Sequence, residues 1–331
     1  MNEPLEHIHH TKEWYHFPFT FSLDLKNKTA MLIMDGEYEN SRIEGAAIIP
    51  AAVEHEGESY AVTSITLNAF YRSTATSVTI PASVTEIDDR AFTETSLEWI
   101  VVDEANPVFK SVDGVLFTKD MTKLVVYPCC RKGGEYVIPD TVKTIGNDAF
   151  CDSEALTSVV LPDSLECIDT WAFSGCENLT SVVIPDSVKS IGGWAFSGCM
   201  KLTSINVPAS MTEIDSRAFA GSGIEKFIVY EAHPVFTSVD GVLLSKDMST
   251  LVTFPSYRGG EYVIPDMVKT IQKYAFTDCI NLTSVVIPDS LDSIDSGAFE
   301  RCKNLRTFFY KGQALGFARF TIAVWPKMCM H

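Results

Sequence analysis

A chain of 331 residues that is 46% apolar and 21% charged, with 20 Phe and 11 Tyr, has ample material for a continuous core and is not a disordered chain. Its 43 acidic against 26 basic residues give a net charge of -17, a field that repels phosphate backbones and anionic headgroups, so neither nucleic acid nor a membrane surface is an expected partner. No apolar run reaches the roughly 20 residues that span a bilayer, and membrane insertion is not expected.

Residues 1–45 read as an N-terminal capping segment. They open acidic and His-rich, without a signal-like apolar stretch. The location is therefore either cytoplasmic, or extracellular with the numbered sequence starting after a removed leader. "EWYHFPFTFSLDLKNKTAMLIMDG", residues 13–36, alternates aromatic and polar residues as a hairpin over the first coil does. His7, His9, His10 and His16 lack a carboxylate or Cys at ligand spacing, and are read as a solvated terminus rather than a metal site.

From 46 to 310 the chain repeats itself. Prolines close apolar runs at Pro50, Pro81, Pro139, Pro162, Pro185, Pro208, Pro265 and Pro288, 23 residues apart wherever copies adjoin. An Ala-Phe pair follows ten residues later, as in Ala172-Phe173, Ala195-Phe196 and Ala298-Phe299. In the first copy it comes nineteen later, at Ala69-Phe70, because "EHEGESYAV" is inserted. The two long gaps match one another: "EANPVFKSVDGVLFTKDMTKLVVYP" at 104–128 answers "EAHPVFTSVDGVLLSKDMSTLVTFP" at 231–255, a duplication of about 127 residues. Each gap holds a strand copy, "LEWIVV" or "IEKFIV", and a hairpin turning at Lys119-Asp120 or Lys246-Asp247. About eleven coils are expected.

A period of 23 and the spacing Leu179, Val182, Ile184 fit the leucine-rich repeat strand core. Those three side chains point inward with Val188, Ile191, Ala195, Phe196 and Cys199, while Thr180, Ser181 and Val183 point out. No coil can bury its apolar face alone, so each must lean on its neighbours. The motif x-x-I-P-x-S-V-x-x-I-x-x-x-A-F-x-x-C resembles the BspA-type leucine-rich repeat, and "NPVFKSVDGVLFTKDMTKLVVYP" resembles that family's longer coil. The resemblance implies a right-handed solenoid, with a parallel strand ladder on one face and short strands or helical turns on the other. It also implies a bacterial cell-surface or secreted protein engaged in adhesion and protein binding. The family's ninth position, Asn or Cys, is here Ser83, Thr141, Ser164, Ser187, Ser210, Met267 and Ser290. A hydroxyl ladder can replace it, except at Met267.

Cys176, Cys199, Cys279 and Cys302 fall three residues after the Phe of their copies and read as a buried stack of small apolar side chains. Cys129, Cys130, Cys151, Cys167 and Cys329 stand off that stack, with their disulfide state open; the adjacent Cys129-Cys130 offers no C-x-x-C geometry. Asp140, Asp163 and Asp186 follow three successive prolines, and are read as turn formers rather than a calcium ladder. No cofactor or metal is expected. G-x-S-x-G, H-E-x-x-H and phosphate-loop motifs are absent, so no enzyme is expected.

Two rows are candidate binding residues. Trp171 and Trp194 hold the same place in adjacent coils, directly before Ala-Phe, and Tyr274 holds it later; they read either as an aromatic platform or as a roof over the outer face. Val160, Val183 and Asn206 stand on the outward side of successive strands, among Thr and Ser, as a docking ladder or as ordinary strand surface. The favoured partner is another protein, with carbohydrate, or an intracellular structural role, as alternatives. Residues 311–331 leave the pattern and read as a C-terminal cap or tail.

Overall fold

A computed structural model describes residues 6–9 (backbone only), 19–33 and 43–316. His10 and His16, residues 13–18 and 34–36 of the proposed N-terminal hairpin, Cys329 and most of the C-terminal tail lie outside the described residues. Described residues form a β-solenoid of about eleven turns with parallel strands and no helix, so two-residue strands and turns stand where helical turns were the alternative. The chain packs as two compact units, residues 1–134 with 141–155, and residues 135–140 with 156–331.

The repeat's chemistry explains each coil. The residues before the proline form one strand, and two residues near the middle of the copy form a second, so two ladders run along each unit. In the second unit Glu135–Val137, Ser158–Val160 and Ser181–Val182 pair in parallel, as do Cys167–Ile168, Ser190–Ile191 and Glu213–Ile214. The Ala-Phe pair locks coil to coil. The Phe196 amide donates to the Ala218 carbonyl at 2.8 Å and the Phe276 amide to the Ala298 carbonyl at 2.7 Å, an approach that the small Ala permits. The rings then stack: Phe173 on Phe196 at 5.2 Å and 8°, and Phe196 on Phe219 at 5.4 Å and 6°. Leu179, Val182, Ile184, Val188, Ile191, Ala195, Phe196 and Cys199 are all buried, and Val183 is 73% exposed, as the pattern predicts.

Hydroxyls bridge coils at Ser83, Thr141, Ser210 and Ser290, while the buried Ser187 hydroxyl finds no partner among the described residues. Ser210 Oγ donates to the Val188 carbonyl at 2.8 Å and Ser290 Oγ to the Val268 carbonyl at 3.0 Å, each reaching the preceding coil, while Met267 is exposed. The cysteine stack is more than apolar filling: the Cys199 thiol donates to the Phe173 carbonyl at 3.2 Å and the Cys302 thiol to the Phe276 carbonyl at 2.9 Å. Burial pushes the Cys199 thiol up to about 12.

In the first unit Glu44–Ile48, Thr74–Ile80 and Trp99–Val102 pair in parallel. The insertion in the first copy is a hairpin of Ala52–His55 on Glu58–Ile65, turning through Glu56 (φ 51°) and Gly57 (φ 82°). Thr20–Asp24 and Thr29–Ile33 form an antiparallel pair whose second strand runs parallel to Glu58–Ile65.

Each long coil is a three-stranded meander rather than a single hairpin. Phe109–Val112, Val115–Thr118 and Lys123–Val126 are antiparallel neighbours, as are Phe236–Val239, Val242–Ser245 and Thr250–Thr253 in the second unit. The first turn is Asp113-Gly114 (φ 49° and 76°) in one and Asp240-Gly241 (50° and 78°) in the other, the paired positive φ that Asp-Gly favours. Its signal was in the sequence and was missed. His233, where the first copy has Asn106, is a fully buried bracket: its Nδ1 accepts from the Val235 amide at 3.1 Å and the Phe236 amide at 3.0 Å, and its Nε2 donates to the Pro208 carbonyl at 2.9 Å. Asn106 brackets the first meander likewise, accepting from the Val108 and Phe109 amides and donating to the Pro81 and Val84 carbonyls.

Candidate functional site

The structure brings Trp171, Trp194 and Tyr274 into one column and inserts a residue that sequence reasoning had set aside. Trp171 and Trp194 stack at 4.7 Å with planes 13° apart. The Arg217 guanidinium then lies 4.2 Å from the Trp194 centroid and 4.7 Å from that of Tyr274. Arg217 holds the same place, directly before Ala218-Phe219, and a planar cation between two rings continues the aromatic row. Its donors meet Asp215 at 2.9 and 2.8 Å. Burial raises the Asp215 carboxyl, but the Arg217 hydrogen bonds outweigh it and leave it below its ordinary value. Beyond Tyr274 stands Gly297, where a Cβ would lie 2.5 Å from the Tyr274 ring.

The backbone explains why this position tolerates such different side chains. Trp171, Trp194 and Tyr274 have φ of 61°, 53° and 64°, in the left-handed region, as do Asn68, Asp148 and Gly297 at the same place in other coils. The column residues are half-buried. The Trp194 indole N–H is buried and finds no acceptor among the described residues. With one face against Trp171 and the other under Arg217, Trp194 has no open ring face. The roof reading therefore describes Trp194 better than the platform reading does.

Val160, Val183 and Asn206 occupy the strand segment of their coils, not the turn that carries the column. Val137 pairs with Val160 in register, and Asn206 with Ile228. Val137, Val160, Val183, Ile228 and Val263 are 66%, 56%, 73%, 45% and 59% exposed, on strands whose alternate residues are buried. Ser158 and Ser181 pair alongside. Val137 and Val160, with Val183 directly after the Ser181–Val182 strand, share one sheet, while Ile228, paired with Asn206, and Val263 stand on two others; these stiff β-branched side chains lose little freedom on contact. Val137, Ile228 and Val263 extend the predicted row, and period-2 alternation in "EYVIP" and "KFIV" was the signal for them.

Among the described residues no three His, Cys, Asp or Glu side chains converge to hold a metal. All described cysteines are free thiols. Cys151 and Cys167 are half-buried rather than exposed, and burial drives the Cys151 thiol far above its ordinary value.

Comparison with known proteins follows from this geometry. The family model for the BspA type leucine rich repeat region matches in six copies over residues 59–119, 125–238 and 254–316, well over half of the chain. The chain belongs to the BspA-type leucine-rich repeat family. Its likeness extends to a leucine-rich repeat protein from Eubacterium ventriosum, 25% identical with a TM-score of 0.52, over 81% of this chain and 61% of that one. The chain thus spans less than two thirds of that relative's length. The pneumococcal vaccine antigen PcpA is 23% identical with a TM-score of 0.50, over 88% of this chain and 68% of that one, and shows the same fold. A leucine rich cell surface protein from Faecalibacterium prausnitzii is 26% identical with a TM-score of 0.45, over 93% and 77%. No curated protein matches in sequence. The family is one of repeat scaffolds, and no catalytic family is indicated. No helix among the described residues is long and apolar enough to cross a membrane.

Proposed function

We propose that this BspA-type chain is a non-enzymatic protein-binding scaffold of the bacterial cell surface or surroundings, adhesin-like, and that its docking face is the strand ladder of residues 135–316. The observation that carries this reading is the row Val137, Val160, Val183, Ile228 and Val263, exposed on rigid strands. Water-exposed apolar side chains, successive at Val137, Val160 and Val183 and resumed past Asn206 at Ile228 and Val263, gain free energy when a partner covers them. The net charge of -17 disfavours polyanionic partners. A sugar ring needs an open aromatic face, and the stacking of Trp194 between Trp171 and Arg217 weighs against carbohydrate.

The test is capture of host-matrix and cell-envelope proteins by the purified chain, with Val160→Glu/Val183→Glu compared against Trp171→Ala. The double ladder variant loses capture by about tenfold or more while Trp171→Ala retains it. Retention by the ladder variant removes this face as the docking site.

A further inference from the structure

One exchange within the internal duplication, Trp99 for Lys226, replaces a large ring by a flexible chain at the surface. In the first long coil Trp99 lies over Gly114, so close that a Cβ there would collide with the indole, and the Arg131 guanidinium covers the ring at 5.1 Å. In the second coil the same frame recurs 127 residues on: the Ile100 amide donates to the Gly114 carbonyl at 2.9 Å, and the Phe227 amide donates to the Gly241 carbonyl at 2.9 Å. Arg131 donates to the Asp113 carbonyl and Arg258 to the Asp240 carbonyl. Where Trp99 stood, however, there is Lys226. The result is an open recess of about 500 Å³ lined by Lys226, Ile228, Ser238, Asp240, Gly241 and Arg258 among others.

We propose that this recess seats an aromatic side chain of a partner protein, in the place that Trp99 fills from within in the first copy. The inference rests on the protein-binding reading and names part of its face, since Ile228 belongs to both the ladder row and the recess. Three features of the recess select a neutral ring. Lys226 and Arg258 are balanced by Glu225 and Asp240, so no net charge draws an anion. Arg258 Nη1 and Nη2 donate to the carbonyl and carboxylate of Asp240, which fixes the guanidinium plane and leaves its face, the part that stacks on rings. Phe254 and Tyr262, both buried, lie on its core side at 5.7 and 5.4 Å, as Tyr127 lies by Arg131, so the outer side is the one Trp99 takes in the first copy. Lys226 does not block entry, because its flexible stem carries the ammonium out to water while its Cβ stays against Gly241.

The experiment is a titration of the full chain with N-acetyl-tryptophanamide, read by amide resonances, with N-acetyl-leucinamide and methyl glucoside as comparators. The Gly241 and Ser238 amides shift saturably with the tryptophan probe, and the Gly114 amide, under its own indole, does not. Lys226→Trp reduces the Gly241 response about tenfold by filling the seat, and Trp99→Ala makes Gly114 respond. No shift at Gly241, an equal shift in Lys226→Trp, or an equal response to leucinamide or the glucoside overturns the proposal. The titration does not involve Val160 or Val183, so it can fail while ladder-dependent capture stands.

Discussion

The indole planes of Trp171 and Trp194 lie 13° from parallel with centroids 4.7 Å apart. This stack, closed on its far side by Arg217, turns a candidate recognition surface into a joint between coils. Trp194→Ala is expected to lose one aromatic pair and one cation–π contact, about 2 kcal/mol in all. Trp171→Ala loses only the pair, about 1 kcal/mol. Trp194→Phe keeps the stack and removes the unpartnered N–H, so it falls well short of the Ala loss. Urea unfolding of the three variants checks this, and equal midpoints for Trp194→Ala and wild type refute the joint.

His233 and Asn106 perform one task with different chemistry, which gives a test by exchange. His233→Ala orphans two amides and a carbonyl in a fully buried site and costs about 3 kcal/mol. His233→Asn restores the bracket as Asn106 builds it, and unfolds within about 1 kcal/mol of wild type. A loss equal to that of Ala shows that the second meander is not held as the first is.

Much of this was legible because a solenoid writes each constraint many times. Pro185, Ala195, Phe196 and Cys199 are interpretable once their copies are aligned, and the structure buries the last three as read. What escaped lies where one copy departs for a reason outside its own coil. Arg217 was not singled out beside Trp171, Trp194 and Tyr274, because a cation's flat face is not visible in its letter. The left-handed backbone at Trp171 and Trp194 was hidden because Gly, which signals such φ, stands there only once, at Gly297. The recess at Lys226 was legible in principle, since Trp99 stands opposite it in the duplication, but only the paired geometry at Gly114 and Gly241 gives the exchange meaning.

Thiol reactivity should sort by place in the coil. Burial raises the thiols of Cys199 and Cys279, and burial with Cys129 beside it pushes that of Cys130 up to about 11, so access sorts them: Cys130 is exposed, whereas Cys176, Cys199, Cys279 and Cys302 are buried. Alkylation at pH 8 followed by mass mapping should label Cys130 in the native chain and the four stacked thiols only after unfolding. Early labelling of Cys199 contradicts the Phe173 hydrogen bond.

The Asp247 turn has a definite acid limit. Hydrogen bonds from the Ser245 hydroxyl, then from the amide and hydroxyl of Ser249, hold its carboxyl down to about 2. A depressed folded value means that the turn's stabilisation is complete above the ordinary carboxylate value and is lost as pH falls through about 2. Carboxyl carbon shifts should place the Asp247 midpoint there, and a midpoint near the ordinary carboxylate value of 3.8 shows the turn to be open in solution.

A last expectation concerns the residue two after each repeat Phe, which has positive φ in every copy: Arg72, Glu94, Asp152, Gly175, Gly198, Gly221, Asp278 and Arg301. Where it is not Gly, ion pairs join neighbours, as Arg72 to Glu94 and Asp278 to Arg301. At Gly221 a Cβ would meet its nearest atom, of Asp278, at 3.7 Å, an ordinary contact. Gly221→Ala therefore isolates the backbone term and should cost about 1 to 2 kcal/mol, with no repacking. Gly221→Asn, which suits the left-handed region better, should recover part of it. A neutral Gly221→Ala in denaturant titration means that the turn adopts another φ, and that the backbone rule does not govern the array.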